Sequence, residues 1–199
     1  MNENKQEVSS NAVRGPWFKF IAADWRVGYE PDAYWQPGKW RHEKGGLTIG
    51  ADGGPYVSCT IPGALLSHWT WEPLILCRMQ VAGEGSGNPS LCCFPKMRIV
   101  ESWSWSAELS IKLASFAVTR FGLPCSPNEP DQTRRPDTIA RGLVAAVIAA
   151  ENGNEIQALL SAHVCLLLVD LSVKGKEREE QRRILHQYIL GELPSGKKW

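Results

Sequence analysis

Tryptophan is the residue through which this chain is best equipped to touch another molecule. There are nine in 199 residues, several times ordinary usage. Eight precede residue 106: Trp17, Trp25, Trp35, Trp40, Trp69, Trp71, Trp103 and Trp105. An indole offers a broad apolar face and one N–H donor, so it stacks on a base or a sugar, anchors a protein interface, or fills a core. For any single tryptophan the core is the commonest home. The segment Tyr34-Trp-Gln-Pro-Gly-Lys-Trp-Arg41 is the best binding candidate. A Pro-Gly turn there presents Tyr34, Trp35 and Trp40 beside the cations Lys39 and Arg41. Trp69/Trp71 and Trp103/Trp105 have i, i+2 spacing, which puts both rings of a pair on one face of an extended segment. Trp69 and Trp71 therefore join the candidate binding residues.

Side chains that could do covalent or metal chemistry are scattered. The sequence holds no phosphate-cradling G-x-x-x-x-G-K, no G-x-S-x-G, no H-E-x-x-H and no dinucleotide fingerprint. The glycine-rich run Gly83-Glu-Gly-Ser-Gly87 follows a strand without opening a helix and reads as a hairpin loop. His42, His68, His163 and His186 have no neighbouring carboxylate pattern, so no metal site is expected. Six cysteines lack a C-x-x-C pair, and adjacent Cys92 and Cys93 point to opposite faces of a strand. They read as reduced, small apolar residues. Cys59, just before a short helix, is the one thiol with a plausible nucleophilic setting.

The bulk numbers exclude some partners. Twenty-two basic against 21 acidic side chains leave no excess to neutralise phosphates, so strong non-specific nucleic-acid binding is not expected. The first 15 residues lack the apolar core of a signal peptide, and the longest apolar stretch, Ala162 to Val169, is too short to span a bilayer. The expected compartment is the cytoplasm, with no membrane partner.

The elements that must position these residues change character along the chain. Residues 1–15 read as a polar tail. Residues 16–122 form a tryptophan-rich, β-dominated region with short helices, whose apolar runs include Trp17–Ala22, Leu47–Ile49, Tyr56–Val57, Leu74–Val81 and Met97–Val100. Thr60 and Pro62 signal the start of a short helix, and Ser106 caps a clearer one ending at Phe121. A proline-rich linker is expected at 123–136 and three helices at 137–199. The second, Asn154–Ser172, is apolar nearly all round and is expected to be central and buried, by its own domain or by a second copy. The fold class is α+β, with an antiparallel or mixed sheet in the N-terminal half and a helical C-terminal half.

Two resemblances attach to the middle of the chain. Gly54-Pro-Tyr-Val-Ser58, Pro62, Ala64-Leu-Leu66, Trp71, Ile75 to Glu84 and Lys96-Met-Arg-Ile-Val-Glu-Ser102 resemble an uncharacterised small domain of phage and bacterial proteins, over about residues 46–110. That likeness implies a phage or mobile-element origin. The leading expectation is an interaction protein that binds and modulates or inhibits a host protein, without a cofactor. Tyr56-Val-Ser58 is also similar to a strand of ADP-ribosyltransferases. That likeness implies NAD as substrate, Glu101 as the catalytic acid and Tyr56 or Trp71 stacking the nucleotide. A third expectation is tryptophan-mediated binding of a sugar or single-stranded nucleic acid.

Overall fold

A computed structural model describes residues 16–27, 30–42, 56–68, 73–88, 91–121 and 136–199. In chain order the elements are β1 (Trp17–Ala22), β2 (Arg26–Val27), β3 (Glu30–Tyr34), β4 (Arg41–His42), β5 (Tyr56–Val57), α1 (Ile61–Leu66), β6 (Leu74–Ala82), β7 (Ser86–Asn88), β8 (Leu91–Cys93) and β9 (Lys96–Trp105). Helices α2 (Ala107–Phe121), α3 (Pro136–Glu151), α4 (Glu155–Leu171) and α5 (Gly175–Glu192) follow, and β10 (Lys197–Lys198) comes last. The protein is α+β, with antiparallel sheets mostly in the first half and helices in the second. The strand expected at Leu47–Ile49 lies outside the described residues, as does most of the expected linker.

The chain divides into two compact units. The first comprises Met1–His68, Leu76–Ser102 and Gly196–Trp199. Its five-stranded sheet runs β1-β6-β9-β10, with β4 also on β9. A three-stranded sheet, β5-β8-β7, joins it where Phe18 and Ser58 exchange backbone hydrogen bonds. The aromatic and aliphatic alternation of these strands builds the core: Phe18, Phe20, Leu76, Met79, Met97 and Ile99 are buried. Burying Lys19 among them requires a partner for its amine, and Nζ donates to the Tyr56 carbonyl at 3.0 Å. Thr60 caps α1 by accepting from Gly63 N–H at 3.2 Å, with proline in the first turn. The glycine-rich run leads out of β6 into β7, which belongs to the other sheet and pairs with β8. A side chain at Gly85 would strike the Phe94 ring, 2.6 Å away.

The second unit comprises Trp69–Ile75 and Trp103–Ser195. Ser106 caps α2 through its hydroxyl, which accepts from Leu109 N–H. The stripe Leu109, Leu113 and Ala117 is buried, and Phe116 stacks on Tyr188 of α5 with ring centroids 3.9 Å apart. Gly153, at φ +72°, ends α3 in the left-handed conformation that terminates helices. Asn154 then caps α4 by accepting from Gln157 N–H. Helix α4 packs against α2, α3 and α5, so it is central, yet Ile156, Val164 and Leu171 remain exposed. Burial on every side, as its composition suggests, is not what the fold provides. Among the described residues no helix is long and apolar enough to cross a membrane.

Candidate functional site

Strand β9 organises the tryptophans of the first unit. Met97 and Ile99 point into the core, so the alternation places Lys96, Arg98 and Val100 on the other face. One edge of β9 is then shared by two segments remote from each other in sequence. β4 pairs antiparallel with its start, Arg41 opposite Met97 and His42 opposite Lys96. β10 pairs antiparallel further along, Lys197 opposite Ser102 and Lys198 opposite Glu101. Between them Gly38 N–H donates to the Ile99 carbonyl and Trp199 N–H to the Val100 carbonyl, each at 3.0 Å.

The turn that delivers Trp40 follows from its sequence. Lys39 N–H bonds back to the Gln36 carbonyl at 3.0 Å, closing a turn with Pro37 and Gly38 at its centre. Gly38 sits at φ +79°, the conformation required at the third position of a type II turn, which glycine adopts without steric cost. Trp25 holds a left-handed φ of 67°, which is unusual for so large a residue and costs on the order of 1–3 kcal/mol. Its carbonyl accepts from Trp35 N–H at 2.8 Å, tying the β2–β3 ribbon to the start of the turn.

Three indoles on the segments that border β9, Trp35, Trp40 and Trp199, each carry a cation. Arg98 lies over Trp40 at 4.8 Å and donates from Nε to the Gln80 side chain at 2.7 Å. Lys197 Nζ lies 4.0 Å from the centre of the Trp199 ring. Trp199 meets Trp25 edge to face at 6.1 Å, and its indole N–H donates to Ser102. Trp35 is buried, with Arg41 5.6 Å from its ring. Trp40 and Trp199 are 38% and 44% exposed, so each keeps ring surface for a partner. Lys39, Lys96 and Lys198 stand exposed on the same β9-bordering segments, which makes this stretch locally cationic in a neutral chain.

The structure places the sequence candidates differently from one another. Trp40, Arg41 and Lys39 belong to these segments; Tyr34 is exposed at the end of β3, opposite Arg26. Trp35 is a buried floor beneath Arg41 rather than a contact residue. Trp69 and Trp71 lie outside the described residues. Trp103 and Trp105 do not form a joint platform. Trp105 is buried with its N–H on the Ser110 hydroxyl at 2.7 Å, and Trp103 donates to the Pro194 carbonyl at 3.1 Å. Arg98, Lys197 and Trp199 join this site without being among the residues that the sequence points to. The alternation of Lys96-Met-Arg-Ile-Val signals an outward Arg98, but nothing local places Trp199 beside β9.

No protein-family model, curated protein or solved structure matches the chain. Its chemistry therefore rests on its own geometry. Glu101 is mostly buried and its carboxylate is paired with Arg78 at 2.9 Å. Tyr56 lies on the other sheet, buried, with Lys19 Nζ 5.2 Å from its ring centre. Burial pushes the Cys92 thiol up to about 11, with the neighbouring Cys93 adding to the shift, and burial also raises Cys77 and Cys165. These three are held as neutral thiols, poor nucleophiles at neutral pH. Among the described residues no group of three His, Cys, Asp or Glu is placed to hold a metal ion.

Proposed function

We propose that this chain is a binding protein that engages an acidic surface of another protein through Trp40, Trp199 and the cations along β9. The supporting observation is that both indoles are partly exposed while each is paired with a cation on the edge of one strand. Tryptophan and arginine dominate interface hot spots, because a rigid ring combined with a planar or compact cation loses little freedom on binding. The near-neutral net charge of +1 favours a local acidic patch over a long polyphosphate. The phage-domain resemblance supports a host protein as the partner class, with inhibition or modulation as the proposed effect.

The experiment is capture from a bacterial lysate by the tagged full chain, beside the Trp40→Ala and Arg98→Ala variants. One stoichiometric acidic protein, retained by the parent and lost with both variants, supports the reading. Nuclease-sensitive material retained through the same residues would replace it with single-stranded nucleic-acid binding, which the same aromatic and cationic pairing also serves. No specific retention would sink both.

A further inference from the structure

Helix α3 turns an uncharged apolar face to solvent. Val144 and Ile148 are 57% and 51% exposed, and Val147 is also exposed. In α4, the adjoining helix, Ile156, Val164 and Leu171 are exposed as well. No Asp, Glu, Lys or Arg interrupts α3 between Arg141 and Glu151, or α4 between Glu155 and Asp170. The six exposed side chains present on the order of 500 Å² of apolar surface, within the range of patches that mark interaction sites.

We infer that this face is a homodimer interface built on antiparallel pairing of α3 with its symmetry mate. The spacing of α3 is self-complementary. Arg141, Val144, Ile148 and Glu151 lie on one helical face, at successive steps of three, four and three residues, and all four are exposed. A two-fold axis at the level of Ala146 sets Val144 against the partner's Ile148 and Arg141 against the partner's Glu151. The same operator repeats both contacts, as an isologous interface requires. A second copy thus supplies apolar surface where this one is apolar and opposite charge at each end. Two copies that cover all six side chains on each other would bury about 1,000 Å², the lower bound for a specific interface. The inference is independent of the β9 site, which belongs to the other unit.

Sedimentation velocity on the full chain across a wide concentration range tests it. A reversible monomer–dimer equilibrium is expected. Ile148→Lys, at an exposed position and with an unchanged fold checked by circular dichroism, is expected to give a monomer throughout. Arg141→Glu and Glu151→Arg each weaken the dimer roughly tenfold by setting like charges opposite each other, and the double swap restores it. That rescue is something general destabilisation of α3 cannot produce. A chain that stays monomeric at every concentration, or a dimer indifferent to Ile148→Lys and to the charge swaps, overturns the inference.

Discussion

The indole N–H of Trp199 reaches the Ser102 hydroxyl at 3.3 Å, which fastens the last described residues to the edge of β9. Trp199→Ala removes that bond, the edge-to-face contact with Trp25 and the ring beneath Lys197. A loss of about 1–2 kcal/mol in urea unfolding is expected, because the ring is only partly buried. Near-zero change would mean that β10 is held by its backbone alone.

Gly38→Ala forces a side chain into a φ of +79°. The space beside it is open to ordinary contact, the nearest atom being Trp199 Cβ at 3.8 Å, so the cost is conformational, about 1 kcal/mol. The variant should also shift Trp40 fluorescence, since the turn aims that ring. Substituting Gly38 with Asn, which tolerates the left-handed region, should recover much of the loss.

Asp170 is buried, and its two carboxylate oxygens take Arg182 Nε and Nη2 at 2.6 and 2.7 Å, with Arg178 Nε at 3.6 Å. Arg182→Ala leaves a desolvated carboxylate with the more distant arginine, and a loss of about 3 kcal/mol is expected. Asp170→Leu combined with Arg182→Leu should cost less than Arg182→Ala alone, a difference measurable by thermal unfolding at fixed pH.

Burial lowers the pKa of both His163 and His186 below the ordinary 6.5. The unfolded chain therefore binds protons at these positions before the folded chain does. Stability is complete above pH 6.5 and declines as pH falls from 6.5 toward the lowered folded values. The melting temperature should be flat from pH 8 to 7 and fall as the pH drops below 6.5. His163→Gln should flatten part of that slope. A slope unchanged in His163→Gln and in His186→Gln would place the titration elsewhere.

Local signals carried much of the fold. Thr60 and Asn154 cap helices because each is a short polar residue placed just before an apolar run, and Trp17–Ala22 forms a strand because aromatic residues suit a pleated, buried surface. The Pro37-Gly38 turn was equally readable, since only glycine fits its backbone cheaply. The other half of the site was hidden in long-range pairing. Nothing in Lys197-Lys-Trp199 announces a strand, and its place beside β9 depends on tertiary packing. The burial of Trp35 is hidden for a related reason: residue type cannot tell which ring of a turn becomes its floor. The exposed stripe of α4 was lost in a helix apolar enough to suggest burial on every side.

Residues 197–199 complete a strand whose partner, Ser102, lies 97 positions before Trp199. On the ribosome, β9 is therefore made long before its outer neighbour emerges, and part of its edge stays unpaired while all four long helices are synthesised. An unpaired edge invites pairing with the same edge on another nascent chain. The order of synthesis thus leaves that part of the β9 edge open until Lys197 to Trp199 arrive to cover it.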